Sequence, residues 1–238
     1  EFFLYQIDQE LSDFKIKNKF DIVIHSYLGS VADDKFISYI FSKEKIDTVY
    51  HAAAHKHVPL VEFNPLPAIE TNIFGTNILA THSYKNNVEN FVLISSDKAV
   101  RPTNIMGATK RFAELILQSL QEKVNELPVN QCRTKFCMVR FGNVLDTSGS
   151  VVPLFRKQIA SGGPITVTDP RVIRYFMTIQ EATELVIQTG TLTFQYTTSE
   201  KPLNAVLMSI LLVEYVSTKN IKWQGYLDEH LYLLAAMA

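Results

Sequence analysis

An α/β fold built on a doubly wound parallel sheet is what this sequence predicts, on three observations. Apolar runs of strand length alternate with segments whose apolar residues recur at helical spacing. The runs, such as "IDTVYHAA" and "NFVLI", are almost continuously apolar, as strands are when helices cover both faces of their sheet. With 47% apolar and 20% charged residues, the 238-residue chain has the make-up of a globular protein with a sizeable core.

The elements follow in order. "EFFLYQIDQELSDF" predicts a helix over residues 3–14, and residues 21–25 a strand. "DDKFISYIFSKE" is helical, and residues 46–53 form the next strand. A long helical stretch, with "NPLP" near its start, follows Pro59 and runs to about residue 84. Then come a strand at 91–95, a helix at 106–124 and a strand at 134–140. After Arg140 the rhythm changes to loops, one amphipathic helix and a short strand, then a helix in "TIQEATELVIQTG". This suits a small lobe over the carboxyl ends of the strands, where open α/β sheets bind ligands. The chain shows no internal repeat. It begins inside a helix, with no initiator Met and no room for an opening strand, and so reads as a fragment.

Composition excludes several classes. The net charge of -1 offers no nucleic-acid or anionic-membrane surface. Cys132 and Cys137 lack histidines at zinc spacing and read as structural thiols in a reducing compartment, so no metal is expected. No apolar run reaches the ~18 residues of a membrane span; "LNAVLMSILLVEYV" is short and contains Glu214.

In such a sheet, polar residues just after a strand point into the ligand crevice, and three strand ends are informative. "HAAAHKH" has small residues that let a flat cofactor approach the backbone, though they also suit a tight strand-to-helix crossing. "SSDK" places Asp97 beside Lys98, either a solvated pair or an acid/base couple. "RFGNV" offers Arg140 and Asn143 to phosphate or sugar oxygens. In the helix that follows, Met106 stands four residues before Lys110, a spacing at which many nicotinamide enzymes carry Tyr and Lys.

The segments "HAAAHKHVPLVEFNP", "TNIFGTN", "FVLISSDKAVRPTNIMGATKRFAEL", "VRFGNVL", "SGSVVPLFRKQIASGGPITVT" and "RYFMTIQEA" carry a resemblance over about residues 1–190. They resemble the polysaccharide-biosynthesis nucleotide-sugar dehydratases, the CapD-like branch of the extended short-chain dehydrogenase/reductases. The resemblance implies a Rossmann-like domain over 1–145, part of a substrate-binding lobe over 146–190, and a divergent tail over 191–238. The family's glycine-rich phosphate loop and first strand are expected before Glu1. Larger family members carry Met where smaller relatives carry Tyr, which makes Met106 a family variant.

The implied reaction is 4,6-dehydration of UDP-N-acetylglucosamine or a related UDP-sugar with NAD or NADP, for capsule or lipopolysaccharide synthesis. Asp97 and Lys98 are implied as acid and base of the elimination, which asks for a raised Asp97 pKa and a lowered Lys98 pKa. Ser96, Met106 and Lys110 would complete the catalytic set, with Lys110 on the nicotinamide ribose. Ser30, Val31, Ala53 and Ala54 match cofactor positions. Lys56, His57, Asn72, Arg140, Asn143, Pro164, Thr166 and Arg174 match the substrate side. A UDP-sugar 4-epimerase and a catalytically dead nucleotide-sugar-binding remnant are the alternatives. The resemblance further implies a homo-oligomer in the cytoplasm, and allows a membrane anchor in a segment outside this chain.

Overall fold

The computed structural model describes residues 1–192 except 129, 130, 148 and 168. Helix α1 (Phe2–Asn18) ends where Lys19 turns left-handed, φ 55°, and returns its N–H to the carbonyls of Lys15 and Ile16. Residues 21–25, expected as a strand, join no sheet among the described residues. Half-buried Ile22 and Ile24 do alternate with exposed Val23. A strand, however, also needs a neighbouring backbone to take its N–H and C=O groups, which the alternation does not report.

Helix α2 (Asp34–Lys43) starts on the Asp33 carboxylate, which accepts from the N–H groups of Lys35 and Phe36 at 3.0 and 3.1 Å. Strand β1 (Thr48–His51) follows. The long helical stretch expected next is broken into α3 (Val58–Phe63), α4 (Pro65–Ile69), a π-helical turn (Glu70–Gly75) and α5 (Thr76–Lys85). The first break falls at Asn64, because Pro65 has no N–H to give and disfavours helix in the residue before it. Strand β2 (Asn90–Ile94), a 3₁₀ turn (Asp97–Ala99), α6 (Ile105–Glu126) and strand β3 (Lys135–Val139) come next. Beyond them β4 (Asn143–Val144), α7 (Val151–Ala160), β5 (Phe176–Met177) and α8 (Ile179–Leu192) complete the described chain. The second short strand here, β5, is only two residues long, too few to show a period. The expected tail beyond residue 192 lies outside the described residues.

β1, β2 and β3 lie side by side in that order, all parallel, and β4 pairs in parallel with β5. Parallel neighbours need a crossover, which α3–α5 and α6 provide. One sheet face, with Val49, Phe91, Leu93, Phe136 and Met138, packs on Ile37 and Ile40 of α2, Leu79 of α5 and Leu117 of α6. The other face, with Val92, Cys137 and Val139, packs on Leu185 of α8. Helices therefore cover both faces, which is the doubly wound arrangement and explains the near-continuous apolar strands. Each fully buried Leu or Ile here is worth about 1.5–3 kcal/mol. Among the described residues no helix is long and apolar enough to cross a membrane.

Candidate active site

The chemistry-bearing side chains gather where β2 ends and α6 begins. β2 buries Asn90, Phe91, Val92 and Leu93, so its direction is set by the core. The chain then turns: Ser96 is the N-cap of the 3₁₀ turn, accepting from the Lys98 N–H at 3.2 Å. The Ser96 hydroxyl donates to Asp97 Oδ1 at 2.9 Å, and Lys98 Nζ reaches the same oxygen at 2.9 Å. Ser96, Asp97 and Lys98 are thus one bonded cluster at the protein surface. Burial pushes the Asp97 carboxyl up, but the hydrogen bond and charge of Lys98 and the Ser96 hydroxyl outweigh it and hold the pKa low. This corrects the expectation of a raised Asp97 pKa; the cause is the cation bonded directly to it.

Helix α6 is anchored at its start by two acceptors. Asn104 Oδ1 takes the Gly107 N–H at 2.7 Å, and Glu62 of α3 takes the Ile105 N–H at 2.5 Å. A methyl group on Gly107 would overlap the Lys98 carbonyl oxygen, so glycine lets the turn lie against the helix. Met106 is buried against Val61 of α3 and Ala68 of α4. One helical turn on, Lys110 is 6% exposed and donates from Nζ to the Ile94 carbonyl at 2.9 Å. Burial pushes its pKa down to about 8, against an upward pull from Glu114.

A second set of bonds supports the first. The π turn carries Asn72, whose amide accepts from the His55 N–H at 2.8 Å and donates to the His55 carbonyl at 3.1 Å and Thr109 Oγ1 at 2.9 Å. Buried His51, at the end of β1, pairs through Nε2 with Thr76 Oγ1 at 2.8 Å. The Thr76 proton goes to the Asn72 carbonyl, so His51 is the donor in that pair. Burial, with the Lys110 charge, pushes the His51 pKa down to about 3.

Arg140 is engaged inside the fold: its Nε and Nη2 both bond to the fully buried Glu114. Asn143 is half-buried in β4. Thr166 is exposed and bonded to Gln158, and Pro164, after a cis peptide bond, and Arg174 are exposed. Lys56 and His57 are exposed, and Gly149 lies against the His57 ring. Ala53 is buried and Ala54 half-buried at the end of β1. Val31 is packed against Gly75, while exposed Ser30 lines an open cavity of about 490 Å³ with Asp33, Lys35 and Glu70. Sequence reasoning missed His51, Thr76, Ser95, Thr109 and Glu114. For Glu114 a signal existed: it sits between Ala113 and Leu117 and four residues after Lys110, on the buried side of α6.

The profile of a family described as "Polysaccharide biosynthesis protein" matches residues 1–198. The chain is 54% identical over 171 residues to the probable polysaccharide biosynthesis protein EpsC of Bacillus subtilis, covering 72% of this chain and 27% of EpsC. It is 50% identical over 189 residues to the capsular polysaccharide biosynthesis protein CapD of Staphylococcus aureus, covering 79% of this chain and 30% of CapD. It is 34% identical over 180 residues to a UDP-N-acetylglucosamine 4,6-dehydratase (inverting) of Campylobacter jejuni, covering 75% of this chain and 52% of that one. The chain therefore spans about half or less of the length of these relatives. Among solved structures, Pen from Bacillus thuringiensis matches with a TM-score of 0.68 and 33% identity, over 91% of this chain and 66% of Pen. A Thermus thermophilus UDP-glucose 4-epimerase solved with NAD matches with a TM-score of 0.58 and 19% identity, over 68% of this chain and 58% of that one, and shares the fold.

Proposed function

From the premise that this chain belongs to the polysaccharide biosynthesis protein family, we propose that it carries the chemistry of an NAD(P)-dependent 4,6-dehydratase. Its substrate is UDP-N-acetylglucosamine or a related UDP-sugar, and its product feeds surface polysaccharide such as capsule. The observation that carries this reading is the Asp97–Lys98 pair, bonded at 2.9 Å on the turn after β2. An elimination across carbons 5 and 6 needs one base and one acid held together, and a 4-epimerase has no use for the pair.

Before substrate arrives the two groups form an ion pair. Covering them removes water from both charges, and desolvation favours the neutral form of each. The proton passes along their hydrogen bond to Asp97, leaving Lys98 as a free amine. Lys98 then takes the carbon 5 proton, and Asp97 gives its proton to the departing carbon 6 hydroxyl, which leaves as water. The pair ends this step as the ion pair it began as. Ser96 holds Asp97 in place throughout.

The chemistry that NAD(P) supplies when bound is reversible hydride transfer, out of carbon 4 and back to carbon 6. The residues present fit such a cofactor. Lys110 has three donors, and among the described residues its one hydrogen bond goes to Ile94, which leaves donors for ribose hydroxyls. Ala53 and Ala54 offer little bulk to a flat ring. The cavity beside Ser30 suits the adenosine end. Residues 1–145 would hold the cofactor, and residues 146–190, with Asn143, Pro164, Thr166 and Arg174, the UDP moiety. Exposed Lys56 and His57, the latter with its ring against Gly149, would join them. Arg140 and Asn72 serve as supports in this reading, since their polar atoms are bonded within the fold.

The test is to incubate the protein carrying this chain with UDP-N-acetylglucosamine and NAD or NADP, and to identify the product by NMR. A 4-keto-6-deoxy sugar is expected. A product that keeps its carbon 6 hydroxyl and is inverted at carbon 4 would overturn the reading in favour of epimerisation.

A further inference from the structure

We propose that Glu114 is the positioning residue of this site, a single buried anion that ties the ends of β2 and β3 to α6 and so holds Lys110 and the Ser96–Lys98 turn in one arrangement. What that arrangement is for rests on the dehydratase reading; the tie itself does not.

Glu114 is fully buried in the middle of α6. A carboxylate taken wholly out of water persists only when donors and opposite charges surround it. Here Oε1 accepts from the Ser95 hydroxyl at 2.6 Å and from Arg140 Nε at 2.7 Å. Oε2 accepts from Arg111 Nη1 at 2.9 Å and from Arg140 Nη2. Ser95 directly follows β2, and Arg140 directly follows β3. Lys110, one turn earlier on the same helix, bonds to the Ile94 carbonyl. The helix therefore grips the sheet at residues 94, 95 and 140, and the Ser96–Lys98 cluster starts at the next residue. With the Gly107 approach to the Lys98 carbonyl, the turn is located from both ends.

The same anion sets the charge around Lys110. The titratable and charged groups on the elements packed there include His51 from β1, Glu62 from α3, Glu70 from the π turn, Arg111 and Glu114 from α6, Arg140 after β3, and Asp97 with Lys98 on the turn. His51 is neutral at ordinary pH, because burial holds its pKa near 3. Glu114 is held ionised: burial pushes its pKa up, but the bonds from Arg140, Ser95 and Arg111 outweigh that. Replacing it with a neutral group would remove the one upward pull on the buried Lys110 ammonium, whose pKa would then fall further below about 8.

The experiment is a titration of the Lys110 ammonium by carbon- and nitrogen-detected NMR, in protein free of nucleotide, with the signal assigned by Lys110→Arg. Glu114→Gln is expected to lower the midpoint by about one unit or more. The alkaline limb of the rate profile with UDP-N-acetylglucosamine should move by the same amount, with turnover down ~10-fold or more and KM little changed. Should Glu114→Gln fail to fold, Glu114→Gln combined with Arg140→Met removes acid and base together and keeps the question open to measurement. Ser95→Ala, which removes one donor only, should slow turnover and lower the melting temperature less than Glu114→Gln does. An unmoved Lys110 midpoint in a folded Glu114 variant, or full turnover in Ser95→Ala, overturns the proposal. A moved midpoint in a protein that does not dehydrate the sugar overturns the dehydratase reading and leaves the tie standing.

Discussion

The polar groups at the junction of β2 and α6 differ in kind from those beyond β3. At the junction Ser96, Asp97 and Lys98 bond to one another, but the groups beneath them are bonded to partners far away in sequence: Ser95 to Glu114 across 19 residues, Arg140 to Glu114 across 26, and Asn72 to Thr109 across 37. Beyond β3 they bond to near neighbours: Arg171 to Asp169 across two, Gln158 to Thr166 across eight, and Arg156 to Asp146 across ten. The junction has Glu114 at 0% exposure and Lys110 at 6%, whereas Ile173 and Tyr175 stand above 80% exposed. α7 buries none of its residues. The difference teaches where each kind of function is built. In the proposed reading proton chemistry depends on position and charge, and the turn that carries its acid and base, bonded locally to each other, is itself located by long-range packing on either side. Recognition of a flexible nucleotide-sugar depends on reach, and the groups proposed for it lie on an open surface.

The strongest way to break this comparison is Lys98→Met. It should lower product formation by ~10²–10⁴-fold while leaving nucleotide-sugar affinity nearly intact. Exchange of the carbon 5 hydrogen with heavy water should vanish in step. Retention of that exchange at the unmutated rate would remove Lys98 as the base.

A second measurement sharpens the contrast through pH. The folded pKa of His51, about 3, lies below its ordinary 6.5, so the unfolded chain takes up a proton first as the pH falls. The stability linked to His51 is full above pH 6.5 and is lost as pH drops toward 3, at about 1.4 kcal/mol per unit. Denaturant unfolding at pH 6.5 and pH 5 should therefore differ by about 2 kcal/mol, and His51→Asn should flatten that slope. Lys110 acts in another window. Its folded pKa of about 8 lies below the ordinary 10.5, so stability rises as pH climbs between those values and the cost of burying the ammonium is relieved.

The open region should respond in the opposite way. Arg174→Ala should leave stability within about 0.5 kcal/mol, since the side chain is exposed. It should weaken UDP-sugar binding by about tenfold, through loss of a diphosphate contact. Calorimetry with UDP decides this, and unchanged affinity would take Arg174 out of the site. The smallest effect belongs to Met106→Leu. The side chain is 2% exposed between α3 and α4, and the swap keeps its volume. Stability should change by less than about 1.5 kcal/mol and turnover by less than tenfold. A thousandfold loss would show that the sulfur touches the reaction.

Much of this was written locally. The apolar runs of β2 and β3 and the helical spacing in α6 are short-range patterns, and each element appears within a residue or two of where those patterns end. The adjacency of Asp97 and Lys98 at a strand end was equally visible, because neighbours in a chain need no fold to meet. Residues 21–25 show the limit: the alternation was real, yet a strand is a relation between two backbones.

The sequence by itself therefore determined the alternation of β1, β2 and β3 with helices, the helix that presents Lys110, and the presence of an acid beside a base after β2. Only the tertiary structure decided that Arg140 turns inward to Glu114, that Asn72 is spent on His55 and Thr109, and that Asp97 is held low in pKa where the proposed reaction asks for a higher one. The physical reason is common to all three. Period and adjacency act over a few residues, whereas burial and the identity of a hydrogen-bond partner are set by whatever distant segment packs alongside, and these decide both a charge's cost and its role.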